Sequence, residues 1–209
     1  MNIKSLANDN YAALQQDLGK HNRYRQSNIH SNSTHPTLSP HNSPNMSYPL
    51  NLTSLTPREA ITDALYRAVI GFDRNDISMF NSAFAGEDVT FGSAGRMITG
   101  LTTARETVFA HVGPMDTSHM ISNIRIDVKD GADTAQLKCY ALAQHCPPGR
   151  GKEPDGPKYL VAGEYGVELV RGEKDGLWKI KKWVLDVIWR QGDASVMQMP
   201  ETQTEEKGE

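Results

Sequence analysis

Apolar residues recur at Ile61, Leu65, Ala68, Val69 and Phe72, the three-and-four spacing that gives a helix one buried face. Its start reads Thr56-Pro57-Arg58-Glu59, with Thr56 suited to the N-cap, Pro57 to the first helical position and Glu59 to the reciprocal bond of a capping box. Asp73-Arg74-Asn75-Asp76 breaks this helix, and a second helical piece carries Ile77, Phe80 and Phe84. Asp88 to Phe91 predicts a strand, turned by Gly92 and Gly95, and a third helix runs from Thr103 to His111, stopping before Gly113-Pro114. Beyond it the chain is extended. Ile124, Ile126 and Val128 alternate within Met120 to Val128, and Thr134 to His145, Tyr159 to Val170 and Leu177 to Trp189 predict three more strands. The breaks between them are a turn at Lys129 to Asp133, a polar loop at Pro147 to Pro157 and a turn at Gly172 to Gly176.

Helices first and a strand meander afterwards predict an α+β domain, with three N-terminal helices packed on one face of an antiparallel sheet. Strands of a dozen residues exceed the usual ~5–6, so the sheet must twist and curve. Helices set against its concave side leave a pocket.

Composition divides the chain. Between His21 and Leu50, 19 of 30 residues are His, Asn, Ser or Pro, too little apolar surface to offset the chain entropy of folding. Residues 1–54 are therefore expected to be a disordered polar extension, 55–197 the folded domain and 198–209 a polar tail. Four of the seven histidines, His21, His30, His35 and His41, lie in the extension at irregular spacing, which suits a polar tail better than a metal site. Between Asn51 and Met197 there are 17 Lys and Arg against 19 Asp and Glu, so no basic footprint for nucleic acid exists. The N-terminus lacks the apolar core of a signal peptide, and no run approaches the ~18 apolar residues of a membrane span. Cys139 and Cys146 lie an odd number of residues apart at one strand's end, which argues against a disulfide. A cytoplasmic protein is expected, with neither nucleic acid nor membrane as partner.

Four phrases carry a resemblance: Phe72 to Asp76 after the first helix; His119 to Asn123; Ala135 through His145; and Gly176-Leu177-Trp178-Lys179-Ile180 with Trp189 to Gly192. In their order and spacing, over roughly residues 56–197, the chain resembles the SnoaL-like branch of the nuclear transport factor 2-like superfamily. The resemblance implies a cone-shaped α+β fold. It also implies chemistry without metal or organic cofactor, as in dehydratases of that architecture, and assembly into a homo-oligomer through the convex sheet face.

By this resemblance Asp73 stands where dehydratases place a pocket carboxylate, and His119 where they place the catalytic imidazole. A carboxylate that holds and charges an imidazole makes an acid or base competent near neutral pH. Asp73 also suits a cap for the next helix, and His119 also suits the polar face of its strand, because Ile124, Ile126 and Val128 have the opposite parity. The dehydratases' first-helix tyrosine falls on Ala68, with Tyr66 two residues earlier on a different helical face, and their second acid falls on Ala143. Tyr140 and His145 can stand in, but five residues apart in a regular strand they face opposite sides, so only one lines the pocket. Asp186 interrupts an apolar strand. It must find a partner in the pocket, face outward, or pair across an oligomer interface. Trp183 and Trp189 share strand parity and can wall a cavity that Phe91 and the other phenylalanines make apolar.

Other chemistries lack their motifs. Gly149-Arg150-Gly151-Lys152 has no strand-to-helix context for a phosphate loop, and His111, His119 and His145 do not have metal-ligand spacing. The expectation is a cofactor-independent lyase, isomerase or cyclase acting on a small hydrophobic secondary-metabolite intermediate, polyketide- or terpenoid-like. His119 and Asp73 are its catalytic pair, and Tyr66, Phe91, Tyr140, His145, Trp183, Asp186 and Trp189 its substrate-binding residues. The alternative is a noncatalytic ligand-binding or dimerisation module of the same fold.

Overall fold

The computed structural model describes residues 49–93 and 95–198. These belong to one compact unit, Ser47–Glu209. The expected polar extension up to residue 48 and the tail from residue 199 lie outside the described residues.

The capping box forms as its sequence requires. The Thr56 hydroxyl accepts from the Glu59 N–H, and the Glu59 carboxylate accepts from the Thr56 N–H at 2.7 Å. It starts α1 (Pro57–Asp73), whose inner face buries Ile61, Ala64, Leu65, Ala68, Val69 and Phe72. Each large apolar side chain so buried contributes roughly 1.5–3 kcal/mol. Asp76 caps α2 (Ile77–Ser82) by accepting from the N–H groups of Ser78 and Met79. Arg67, 3% exposed, ties α1 and α2 to the sheet through Asp63, the carbonyl and hydroxyl of Ser82 and the carbonyl of Trp178. The third helical stretch is α3 (Leu101–Ala104), a π turn (Arg105–Phe109) and α4 (Ala110–Val112).

Six strands form one sheet: β1 (Thr90–Ser93), β2 (Arg96–Thr99), β3 (Asp116–Asp127), β4 (Thr134–Cys146), β5 (Tyr159–Arg171) and β6 (Trp178–Gly192). Their order is β2-β1-β6-β5-β4-β3. Neighbours are antiparallel except β1 and β6, which run parallel, so the sheet is mixed where a wholly antiparallel one was expected. No tight turn dictates the relative direction of the first strand and the last, whereas β3 to β6 are joined in sequence. With its helices on one face, the domain is an α+β fold.

Three bulges decide which side chains face the helices. In β3 the register passes from Ser122 opposite Tyr140 to Arg125 opposite Lys138, one residue too many, and Asn123 takes φ 53°. Thr117, His119 and Ile121 before the bulge therefore share the inner face with Ile124 and Ile126 after it, although their parities differ. In β6 an extra residue at Lys181 brings Trp178, Ile180 and Trp183 to one buried side. A second, at Ile188, reverses the strand again and turns Trp189 outward.

Candidate active site

Asp73 ends α1 and His119 is the fourth residue of β3, so a helix terminus and a strand meet at this pair. Asp73 Oδ1 lies 2.6 Å from His119 Nδ1 and accepts from the Thr117 hydroxyl at 2.7 Å. Asp73 Oδ2 accepts from the His119 backbone N–H at 2.9 Å. Burial works to raise the Asp73 carboxyl, but the bonds and charge of His119 and the bond from Thr117 outweigh it and hold the group below the ordinary carboxylate value. An ionised Asp73 assigns the proton-bearing role to Nδ1 and leaves Nε2 as the nitrogen for a ligand. The His119 ring stacks on Phe72 at 5.9 Å and meets the His145 ring edge-on at 5.6 Å.

His119 lines a cavity of about 430 Å³ between the helices and the concave sheet. Its walls include Phe72, Phe91, Val161, Trp183 and Leu185; its polar members include His111, His119, His145 and Tyr165. Phe91 and Trp183 are register partners across the parallel pair, with rings 5.0 Å apart. His145 is 6% exposed, and its Nδ1 has no hydrogen-bond partner among the described residues. Burial and the nearby His119 push His145 down to about 4, against a backbone bond at Tyr159 and the Asp73 charge, so it is neutral at pH 7. Tyr165, 5% exposed, is pushed up by burial and then by the charges of Cys139 and Asp73, so its hydroxyl stays protonated. A larger hollow of about 700 Å³ lies by Thr56, Lys129 and Arg171, at the other end of α1. No histidine is among the residues that line it, and the Asp73–His119 pair belongs to the smaller cavity.

The structure thus brings His119, His145, Phe91 and Trp183 to one cavity, with Asp73 behind His119. Four expected residues stand elsewhere. Tyr66 is 40% exposed on the outer side of α1, next to the buried Leu65. Tyr140 is 48% exposed on the convex sheet face, because alternation gives the inner face to Cys139 and Ala141. Asp186 faces outward opposite Glu164, and Trp189 faces outward opposite Ala162 because the Ile188 bulge breaks its parity with Trp183. Of the alternatives for Tyr140 and His145, His145 is the one that lines the cavity.

Three titratable residues of the cavity were missed: Tyr165, His111 and Arg96. Tyr165 shares strand parity with the buried Val167 and Leu169, and that signal was present in the sequence. Arg96 belongs to β2, a four-residue strand that the apolar pattern around Gly92 and Gly95 did not reveal.

The profile of the SnoaL-like domain matches residues 53–184. The chain belongs to the SnoaL-like domain family. "Terrestric acid biosynthesis cluster protein E" of Penicillium crustosum is 41% identical to it over 149 residues, 71% of this chain and 94% of that protein. Two solved structures of proteins from Novosphingobium aromaticivorans share the fold. One, provisionally named an aromatic ring hydroxylase, is 25% identical with a TM-score of 0.56, over 69% of this chain and 100% of that one. The other, provisionally named a scytalone dehydratase, is 24% identical with a TM-score of 0.55, over 65% and 87%. The SnoaL-like domain here places its Asp–His pair at the junction of first helix and sheet. Among its described residues no helix is long and apolar enough to cross a membrane, and no group of three or more His, Cys, Asp or Glu side chains is arranged to hold a metal ion.

Proposed function

We propose that this SnoaL-like protein is a cofactor-independent enzyme of secondary metabolism, a dehydratase, cyclase or isomerase, which moves a proton on a hydrophobic intermediate. The observation that carries the reading is the Asp73–His119 pair set into the wall of an apolar cavity. His119 Nε2 takes a proton from an acidic C–H of the substrate. Asp73, held ionised, stabilises the imidazolium, which then returns the proton to a leaving hydroxyl or to another carbon. Tyr165, protonated and free of hydrogen bonds within the described protein, donates to the substrate oxygen on which charge develops. Phe72, Phe91 and Trp183 hold the carbon skeleton in a reactive shape and keep water out. The Penicillium relative, named for a biosynthesis cluster, supports a place in secondary metabolism.

A noncatalytic ligand-binding module is the second reading. It is favoured by Ala143, which stands directly opposite His119 where dehydratases of this architecture were expected to carry a second acid. The two readings separate in a deletion strain of the producing host complemented with wild type, His119→Ala or Asp73→Asn. Restoration of the lost metabolite by wild type alone supports the enzyme; restoration by all three supports the module.

We also propose a homo-oligomer formed through the convex face. Met120, Leu142, Ala162 and Trp189 are successive cross-strand partners there, an apolar row across four strands with Met120 55% and Trp189 46% exposed. Exposed apolar patches of this kind mark association surfaces.

A further inference from the structure

The inner face of the β1–β2 hairpin carries an exposed cation, Arg96, to which no other described residue supplies an acid partner. Cross-strand partners share a face. The register sets Ile98 beside Phe91, Arg96 beside Ser93, and Ser93 beside Leu185. All five line the cavity, so Arg96 stands at its hairpin end. Gly92, at φ 153°, helps to seat it: a Cβ there would collide with the Arg96 carbonyl, so only glycine lets the two backbones close together.

Two other arginines have acid partners, Arg67 with Asp63 and Arg150 with Glu153, while Arg58 and Arg171 meet the backbone carbonyls of Ile126 and Gly176. Among the described residues no carboxylate pairs with Arg96. The cavity lining, among the described residues, includes no Asp or Glu; its titratable members are Arg96, His111, His119, His145 and Tyr165. The partners of the two Asp73 oxygens are His119 and Thr117 rather than Arg96. An unpaired guanidinium at the end of an apolar, acid-free cavity suits an anion. The apolar walls take the ligand body, and charge-assisted hydrogen bonds from the planar fork fix one end.

We propose that Arg96 is a specificity residue of this site and that its ligand is a hydrophobic ring compound bearing an anionic oxygen group, a carboxylate or an ionised enol. That group binds at the hairpin end, which directs the reacting carbon toward His119. The inference deepens the proton-transfer reading but does not depend on turnover, since it concerns what the cavity binds.

The test uses two fluorescent probes with one aromatic skeleton, 1-anilinonaphthalene-8-sulfonate, which is anionic, and N-phenyl-1-naphthylamine, which is neutral. Both are titrated into the full-length protein, its Arg96→Met and Arg96→Lys variants, and Ala141→Phe, which fills the cavity. We expect Arg96→Met to weaken the anionic probe about tenfold, the loss of one charge-assisted contact, while the neutral probe changes less than twofold. Arg96→Lys should fall between, and Ala141→Phe should abolish both. Equal binding of the anionic probe by wild type and Arg96→Met overturns the proposal, as does an equal loss of both probes. So does retention of the anionic probe in Ala141→Phe. A tenfold loss in Arg190→Met instead, where the Ile188 bulge sets Arg190 opposite Val161, also overturns it. Unchanged metabolism in His119→Ala would remove the proton-transfer reading and leave these titrations as they are.

Discussion

One carboxylate grips His119 twice: Asp73 Oδ1 meets the ring at Nδ1, and Asp73 Oδ2 accepts the backbone N–H of the same residue. Removing the carboxylate in Asp73→Ala leaves that N–H and the Thr117 hydroxyl without partners, at a cost of about 1–3 kcal/mol each where they remain dry. Because the folded carboxyl lies below its ordinary value, its stabilisation is full above the unfolded value near ~3.9 and is lost as pH falls through the folded one. Urea unfolding at pH 7 should therefore show Asp73→Ala less stable than wild type, and the part of the gap due to charge should close below about pH 4.

His145 gives the same sign at higher pH. Its folded value of about 4 lies below the ordinary 6.5, so the unfolded chain binds more protons in between and stability falls as pH drops from about 6.5 to about 4. Integrated over that interval, one such group contributes roughly 3 kcal/mol. Urea midpoints measured from pH 7 to 4 should fall more steeply for wild type than for His145→Gln; equal slopes would show that His145 does not titrate low.

The bulge at Asn123 aims His119. Asn tolerates φ 53°, glycine adopts it freely, and a β-branched residue resists it. Asn123→Gly should keep both fold and activity, while Asn123→Val should lose about 1–2 kcal/mol of stability and most activity. Thermal melts and the complementation assay check both.

The convex row predicts an assembly that a charge disrupts. Trp189→Glu should shift the mass measured by light scattering toward the monomer, while binding in the cavity on the other face of the sheet is kept. A monomeric wild type would remove the homo-oligomer proposal.

Much of the fold was legible because its signals are local. The Thr56–Glu59 capping box and the spacing from Ile61 to Phe72 set α1, and the long alternations set β3 to β6. The Asp73–His119 pairing came from the family resemblance, since 46 residues separate the two and no local pattern joins them. What parity alone misassigned lay beside bulges. His119 counted as facing away from Ile124 until Asn123 shifted the register, and Trp189 counted as facing with Trp183 until Ile188 reversed it. A bulge adds one residue to a strand and leaves little trace in composition, yet it moves every later side chain to the other face. Arg96 was hidden for another reason: β2 is four residues long, and its position at the cavity follows from the parallel pairing of β1 with β6, a non-local contact.

Proton transfer by His119 is tested most directly on the intermediate that accumulates in the deletion strain. Purified wild type and His119→Ala are each incubated with it in D2O, and product and recovered substrate are analysed by mass spectrometry. Wild type should convert the intermediate and place deuterium at one carbon, and the folded His119→Ala variant should be slower by about 10²–10⁴-fold with no exchange above background. Conversion and exchange by folded His119→Ala within twofold of wild type would contradict the account.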